Sequence, residues 1–212
     1  MTGRIVLCAL LTAAWACGQA RPDAERWNKV FSAEKPGFNA KPNAFLVEVS
    51  TGRKPGRALD IGMGQGRNSI YLARQGWDVT GIDISEEGIR KAKEQAARLG
   101  LKLNAVLRDA DEFDYGREQW DLVVGMYMHG VLTRNAARIR DGLRTGGLLV
   151  VEGFHRDVNR PGLGGGPLGY PSNALLEAFL GLRVLRYEDT RAIADWAGMQ
   201  EAPVVRMLAV KP

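Results

Sequence analysis

The stretch LDIGMGQGRNSIYLA, from Leu59 to Ala73, decides the fold. An apolar strand ends in Asp60, a loop carries Gly62, Gly64 and Gly66, and a helix follows. Because glycine has no Cβ, such a loop can turn sharply and bring bare backbone against a ligand. The helix directs unpaired N–H groups and a partial positive charge into the same space. The pattern predicts an α/β domain that binds a nucleoside ligand at this loop.

The spacing of the glycines distinguishes between nucleoside ligands. A dinucleotide fingerprint reads G-x-G-x-x-G and places pyrophosphate at the helix N-terminus. This chain reads D-x-G-x-G-x-G, with Arg67 where the third glycine of the fingerprint would fall. A carboxylate directly before the glycines repels phosphate but suits an amino or sulfonium cation. The spacing therefore disfavours a nicotinamide-dependent oxidoreductase, and no convincing Tyr/Lys or Ser catalytic set supports one.

Two further carboxylates end apolar segments. Asp83 closes the segment WDVTGID, and Asp109 follows the next one. A carboxylate at Asp83 can accept both hydroxyls of a ribose, although a helix-capping or turn aspartate would give the same pattern. Asp111 lies two residues beyond Asp109 and leaves a second register open. Together with the glycine loop, these acidic strand ends form a fairly specific set.

With these residues in view, the chain resembles the class I S-adenosylmethionine (SAM)-dependent methyltransferases, and within them the tellurite-resistance-like small-molecule branch. The resemblance covers roughly Phe38 to Lys211. It rests on the segments LDIGMGQGRNSIYLARQGWDVTGIDIS, RDADEFD, WDLVVGMYMH, LRTGGLLVVEGF and FLGLRVLRYED. Met63 departs from the family, which usually has cysteine there, but the loop uses only its backbone at this point.

The resemblance implies that SAM is the cofactor and gives a role to each matching residue. The residues implied to bind it are Asp60, Gly62, Gly64, Gly66, Asp83, Asp109, Ala110, Met126 and Tyr127. The glycine loop and the carboxylate before it would line the methionine and ribose part. Asp83 would hold the ribose hydroxyls, and Asp109 would accept from the adenine amino group with Ala110 beside the ring. Met126 and Tyr127 would face the methionine moiety.

Short apolar runs alternate with helical periods from Ala58 onward, which implies a parallel sheet covered on both faces. The predicted strands are Ala58–Ile61, Val79–Asp83, Asn104–Arg108, Leu122–Gly125, Leu148–Glu152, Arg183–Tyr187 and Val204–Val210. The short stretch between the last two predicts a hairpin. The predicted fold is one α/β domain, a Rossmann-like, doubly wound, mostly parallel seven-stranded sheet. By resemblance, its last strand is antiparallel.

Local signals place the helices and loops. Helices are predicted around Ala24–Phe31, at Pro42–Val49 with proline in the first turn, after Ser85, and at about Asn173–Leu180. Ser85 suits an N-cap and Gly100 a C-terminal stop. Thr145–Gly147 is predicted to be a turn that leads into the fifth strand. Asp157–Pro171 is predicted to be a loop rich in glycine and proline.

Methyl transfer from a sulfonium is an in-line displacement with an activated donor, so alignment and exclusion of water matter most. A base is needed only if the acceptor is protonated. His129 and His155 are the two histidines, and each follows a strand end at the edge where ligands bind. Either is a candidate catalytic base, and the alternative is that each only hydrogen-bonds a loop.

Metal and cysteine chemistry find no support in the sequence. No metal-ligand spacing of His, Cys or carboxylates is present. Cys8 and Cys17 both lie in the N-terminal segment, so we expect no disulfide, zinc site or cysteine nucleophile in the folded body.

Aromatic residues outside the sheet are candidates for a lid. These are Trp27, Phe31, Phe38 and Tyr170. An electron-rich ring near the sulfonium would contribute on the order of 1 kcal/mol through a cation–π contact. Core positions are the alternative for all four. Similarly, Pro161–Gly169 either closes over the acceptor or is a plain surface connection.

Composition limits the class of partner. The chain has 212 residues, enough for one α/β domain and few for two. Its 29 basic and 24 acidic residues give a net charge of +5, yet the basic residues are scattered. Because a nucleic-acid footprint is clustered, we expect no nucleic-acid partner. A small cap and the lack of a recognition domain favour a small-molecule methyl acceptor over a protein. The oligomeric state is left open.

The N-terminus differs from the rest of the chain. Arg4 precedes an apolar run, Ile5 to Ala16, which is short for a bilayer span but suits a signal-peptide core. Cys17 is an alternative site of lipidation, although Trp15 makes a poor lipobox. We expect export or a membrane tether over a cytoplasmic location, with a miscalled start or a buried helix as the alternative. The expected organisation is 1–20 signal or lipoprotein-type segment, 21–56 linker and cap helices, and 57–212 SAM-binding methyltransferase domain.

The predicted function is SAM-dependent methyl transfer to a small-molecule nucleophile. The alternative is a non-catalytic protein that binds or senses SAM, because the acidic and glycine residues would look the same. Turnover of a methyl donor across a panel of acceptors separates the two.

Overall fold

The computed structural model describes residues 22–33, 39–158, 168–198 and 200–212. The predicted signal segment, Phe38 and residues 161–167 of the predicted closing loop lie outside these residues. The strands are β1 (Arg57–Ile61), β2 (Asp78–Asp83), β3 (Asn104–Leu107), β4 (Trp120–Met126), β5 (Leu143–Phe154), β6 (Arg183–Ala194) and β7 (Gln200–Val210). The helices are α1 (Pro22–Ser32), α2 (Ala44–Ser50), α3 (Arg67–Arg74), α4 (Glu86–Arg98), α5 (His129–Arg134), α6 (Ala136–Gly142) and α7 (Ala174–Ala178). Two 3-10 turns cover Arg156–Val158 and Asp195–Ala197.

The seven strands form one mixed sheet in the order β3-β2-β1-β4-β5-β7-β6. The first five are parallel, and β7 runs antiparallel to both β5 and β6. This confirms the predicted fold class, including the antiparallel last strand. The strand order reverses between β1 and β4, and ligands of open α/β sheets bind in the crevice at that switch.

Alternate residues along each strand point to opposite faces, so one strand supplies two hydrophobic layers. Leu59 and Ile61 of β1 join one core cluster, whereas Ala58 joins the other. In β4, Val123 packs in the first cluster and Val124 in the second. All five side chains are completely buried, which accounts for the nearly continuous apolar runs of these strands.

The C-terminal hairpin is much longer than predicted. Residues pair continuously from the Arg183–Val210 end of β6 and β7 to Ala194–Gln200 at the tip, apart from a bulge after Val184. β6 is an edge strand whose side chains are mostly exposed. The outer half of β6, beyond Tyr187 where the predicted strand ends, therefore has little of the apolar alternation that predicts a strand from sequence.

The fifth strand also departs from the prediction. Thr145–Gly147 lies within β5 rather than in a turn before it. The pairing with β4 shifts between Trp120 and Leu122, and Gly146 has a φ of +79°. The glycines thus accommodate a bulge in a strand that continues past them.

Helix ends follow the capping residues. The Ser85 side chain accepts from the N–H of Gly88 and caps α4, as predicted. α2 begins at Ala44 because the Asn43 side chain accepts from the N–H of Leu46, so Pro42 precedes the cap instead of lying in the first turn. α7 is shorter than predicted and spans five residues. Within the described residues, no helix is both long and apolar enough to cross a membrane.

Candidate active site

A cavity of about 450 Å³ opens at the carboxyl ends of β1, β2 and β4, where the strand order reverses. This volume lies within the range of small-molecule pockets, roughly 300–1,000 Å³. The sequence-predicted residues that line it are Gly62, Gly64, Asp83, Asp109, Ala110, Met126, Tyr127 and His129. They come from separate loops, and the sheet edge brings them together.

The glycine loop forms one wall of the cavity. Gly62 and Gly64 have φ angles of +71° and +53°, in the left-handed region that favours glycine. Gly62 donates its N–H to the carbonyl of Ile82 at 2.9 Å, which ties the loop to the end of β2. A Cβ on Gly64 would lie 2.8 Å from Cζ of Phe31, because α1 packs directly on the loop. The backbone of the loop is therefore held rigid beneath the cap.

Asp83 anchors the loop and can still accept hydrogen bonds from a ligand. Its Oδ2 accepts from the N–H of Gly64 and its Oδ1 from the N–H of Ser85, both at 2.8 Å. Burial raises the pKa of this carboxyl above its usual range. Each carboxylate oxygen has a second lone pair, so the side chain can still accept two hydroxyl donors. A ribose diol fits this arrangement.

The structure distinguishes Asp109 from Asp111, the two carboxylates that the sequence offers for the adenine amino group. Asp109 and Ala110 line the cavity, whereas Asp111 is not one of its described lining residues. Asp111 instead accepts from Arg134 Nε at 2.9 Å and from Asn135 Nδ2 at 2.6 Å. Of the two registers left open by the sequence, only the one through Asp109 faces the cavity.

Asp60, directly before the loop, and Gly66, at its end, are not among the described residues of the cavity wall, and their contact with the cofactor stays a prediction. Asp60 is 1% exposed, and its Oδ2 accepts from the Ser69 hydroxyl at 2.6 Å. Its Oδ1 is buried and has no partner among the described residues. Burial raises the pKa of Asp60 to about 6. A nearby cation would stabilise the charged form of this buried carboxyl, and perturbed pKa values of this kind are common at functional sites.

Tyr127 occupies a strained backbone conformation at the end of β4. Its φ is +61°, unusual for a bulky residue. Its hydroxyl donates to Oε1 of Glu152 at 2.7 Å, and its N–H donates to the carbonyl of the same residue. Burial, followed by the charge of Glu152, raises the pKa of the phenol above its usual range. These bonds hold the ring in the cavity wall as a neutral phenol.

A buried polar network supports this wall from behind. Glu152 is 1% exposed and accepts from Asn43 Nδ2 and Arg206 Nε, each at 2.7 Å. Asn43 Nδ2 also donates to Asp195 Oδ2 at 3.1 Å. Arg67 pairs with both oxygens of Asp195, at 2.9 and 3.2 Å. The network joins the cap, the start of α3 and the tip of the β6–β7 hairpin.

The two histidines have different surroundings. His129 lines the cavity, but its Nε2 accepts from the N–H of Phe154 at 3.0 Å. The ring proton is therefore on Nδ1, and burial lowers the pKa of His129 to about 4. His155 does not belong to the described lining; its Nε2 contacts the Ser172 hydroxyl at 3.1 Å and its Nδ1 accepts from the Asp157 N–H. His155 thus bonds loop residues on both ring nitrogens, and its catalytic role stays a prediction.

Four aromatic rings from three segments line the cavity. Trp27 stacks on Phe31 at 5.6 Å, Trp27 meets Trp196 edge-on at 5.8 Å, and Trp196 stacks on Tyr127 at 6.0 Å. Trp27 and Phe31 were predicted as lid candidates, and Trp196 was missed because it lies at the tip of the unpredicted part of the hairpin. Tyr170 is 1% exposed and packs on His129 at 5.0 Å, which makes it a core residue.

The described residues contain no group of three or more His, Cys, Asp or Glu side chains that could hold a metal ion. The groups present fit SAM. Asp83 and Asp109 can accept hydrogen bonds from its hydroxyl and amino groups, and bare glycine backbone forms one wall. Asp60, directly before the glycine loop, has a buried carboxylate oxygen without a partner among the described residues.

Comparison with known proteins agrees with this description. Residues 58–147 match the family described as "Methyltransferase domain". The ribosomal RNA small subunit methyltransferase C of Alcanivorax borkumensis is 40% identical over 63 residues, 28% of this chain and 19% of that protein. The probable S-adenosyl-L-methionine-dependent methyltransferase TehB of Haemophilus influenzae is 35% identical over 89 residues, 42% of this chain and 31% of that protein. This chain thus spans less than a third of either relative.

The crystal structure of TehB from Haemophilus influenzae has the same fold. It superposes with a TM-score of 0.68 at 23% identity, covering 80% of this chain and 62% of that one. The sheet order, the glycine loop and the matched segment lead to one conclusion: residues 58–147 form a domain of the methyltransferase family, and the chain is similar in fold to TehB.

Proposed function

We propose that this protein transfers the methyl group of SAM to a small-molecule nucleophile. One observation carries the proposal: the glycine loop, Asp83 and Asp109 line the same cavity as the aromatic rings of Trp27 and Trp196. The first three suit the nucleoside of SAM, and the rings enclose the remaining space. A cavity roofed by side chains of the same chain suits a small acceptor better than a polymer.

Each group of the cavity wall has a separate task in this proposal. Asp83 would accept the ribose hydroxyls, and Asp109 would accept the adenine amino group. The sulfonium, when bound, supplies an activated methyl group for in-line displacement. Tyr127 and Trp196 would exclude water from the reacting atoms and place electron-rich rings near the positive sulfur, worth on the order of 1 kcal/mol. The chain's contribution is alignment rather than covalent catalysis.

The state of His129 narrows the kind of nucleophile. Its Nε2 lone pair already accepts a backbone hydrogen bond, and its lowered pKa makes it a poor proton acceptor near neutral pH. The Nδ1–H can only donate. We therefore propose an acceptor that arrives already nucleophilic, such as a thiolate, an oxyanion or an unprotonated amine, with His129 as a hydrogen-bond donor that orients it.

Binding and turnover test the proposal separately. Isothermal titration calorimetry should show that the protein binds S-adenosylhomocysteine more tightly than NAD. Methyl transfer from labelled SAM, measured across thiols, oxyanions and amines, should show turnover for at least one class. Binding without turnover on any acceptor would favour the alternative of a SAM-sensing protein, and tighter binding of NAD would refute the proposal.

A further inference from the structure

Two hydrogen-bond donors that line the cavity have no acceptor among the described residues. Nε of Arg26 and Nε2 of Gln65 are both buried, and neither has a partner among the described residues. Both side chains line the cavity. A buried donor without a partner costs about 1–3 kcal/mol, so native structures rarely keep one unless something else satisfies it. Two such donors in one cavity point to a bound group that accepts hydrogen bonds.

Arg26 holds the stronger donor of the pair. It lies on α1, and its Nη2 pairs with Asp23 at 3.0 Å while its Nε points to no described acceptor. The Asp23 side chain is 66% exposed, so this ion pair contributes little and is easily exchanged for another anion. Nε and Nη2 together form one edge of the guanidinium, which matches the two oxygens of a carboxylate.

Gln65 brings the second donor from a different segment of the chain. It lies within the glycine loop, between Gly64 and Gly66, whereas Arg26 belongs to the cap. α1 is packed on this loop, because Phe31 lies close to Gly64. The two donors therefore come from elements that are held against each other, at the same end of the cavity as the loop.

Arg67, a second arginine beside the loop, is already paired. Arg67 also lines the cavity, but Asp195 takes two of its nitrogens. The side chains of this ion pair are only 11% and 6% exposed, so water screens it little. Arg26, by contrast, keeps a buried N–H that has no acceptor among the described residues.

We propose that Arg26 and Gln65 form a subsite for an anionic oxygen group, of the carboxylate or oxyanion class. This inference rests on the proposed function, because two molecules could bring such a group into the cavity. One is the methyl acceptor, and the other is the cofactor, through its methionyl carboxylate. In either case the negative group accepts hydrogen bonds from Arg26 Nε and Gln65 Nε2, and it replaces Asp23 as the partner of Arg26 Nη2.

The test compares Arg26→Gln and Gln65→Met with the wild type and with Lys29→Gln. Lys29 is an exposed residue of the same helix, so its replacement removes the same charge from α1 without touching the cavity. Calorimetry in the first arm measures S-adenosylhomocysteine and 5′-methylthioadenosine, which lacks the amino-acid part. The second arm titrates acetate, benzoate and phosphate into protein saturated with S-adenosylhomocysteine, with benzyl alcohol as the neutral control.

Loss of a charge-assisted hydrogen bond predicts roughly a ten- to hundredfold weaker affinity in Arg26→Gln, and less in Gln65→Met. If the cofactor brings the group, affinity falls for S-adenosylhomocysteine and not for 5′-methylthioadenosine. If the acceptor brings it, both nucleosides bind normally and the affinity for anions falls. Lys29→Gln should resemble the wild type in both arms.

Unchanged affinities in both arms for Arg26→Gln and Gln65→Met would overturn the inference while leaving the proposed function intact. An equal loss in Lys29→Gln would also overturn it, because net charge alone would then account for the effect. A wild-type protein that binds neither nucleoside would instead refute the proposed function. Far-ultraviolet circular dichroism confirms that each variant is folded.

Discussion

Replacing Asp60 by asparagine should remove a pH-dependent loss of stability that the wild type carries. The pKa of Asp60 is about 6 in the folded protein against 3.8 for an unperturbed carboxyl, mainly because the side chain is fully buried. Between these values the folded state holds more protons than the unfolded state. Stability therefore falls as pH rises through this window and is constant above it.

The magnitude follows from the two pKa values. At a pH of about 4.5 the penalty is about 1 kcal/mol, and at a pH of about 7.5 it is about 3 kcal/mol. Asparagine is neutral throughout and keeps an oxygen for the Ser69 hydroxyl. The difference in unfolding free energy between Asp60→Asn and the wild type should therefore grow by about 2 kcal/mol across this range in favour of the variant.

Urea unfolding followed by tryptophan fluorescence, at several pH values, measures this difference. Asp111→Asn is a control with the opposite sign, because hydrogen bonding to Arg134 lowers the pKa of Asp111. Parallel pH profiles for the wild type and Asp60→Asn would refute the reasoning. A nearby cation would also lower the pKa of Asp60, so SAM binding should release protons at a pH of about 5 to 6 in the wild type and fewer in the variant.

Three further outcomes follow from the site. Asp83→Ala should weaken S-adenosylhomocysteine binding about ten- to hundredfold in calorimetry and also lower the melting temperature, because the side chain accepts from two backbone N–H groups; an affinity equal to the wild type would contradict its role. His129→Ala should reduce turnover more than cofactor affinity, and unchanged turnover with a competent acceptor would show that the imidazole is dispensable. A chain that begins at Pro22 should fold and bind S-adenosylhomocysteine as the full chain does, since the sheet begins at Arg57; markedly weaker binding would assign a structural role to the first 21 residues.

The elements that the sequence predicted well are those specified by local patterns. β1, β2 and β4 carry buried apolar runs, and residues at their carboxyl ends meet at the cavity. Ser85 was predictable as a cap because an N-cap interaction spans only three residues. Gly62 and Gly64 were predictable because few residues other than glycine adopt their φ angles.

The features that escaped prediction depend on partners far away in the chain. The bond between the Ser69 hydroxyl and the buried carboxylate of Asp60 could not be predicted, because Ser69 lies nine residues further along the chain in α3. The outer half of β6 has little apolar alternation because it gains its strand geometry from pairing with β7. Nothing local in Asp195-Trp196 indicates that the tip of this hairpin reaches the cavity.

The pairing of Asp195 with Arg67 links the glycine loop to the tip of the β6–β7 hairpin. Arg67 stands where a dinucleotide-binding protein would have glycine, and from sequence it served only to argue against that ligand. In the structure its guanidinium takes both oxygens of Asp195, the residue beside Trp196, and so fixes a ring of the cavity wall. A glycine at this point would leave a buried carboxylate without its cation, at a cost of about 3–5 kcal/mol. The residue that disfavours pyrophosphate thus also holds the hairpin tip, with Trp196, at the wall of the cavity.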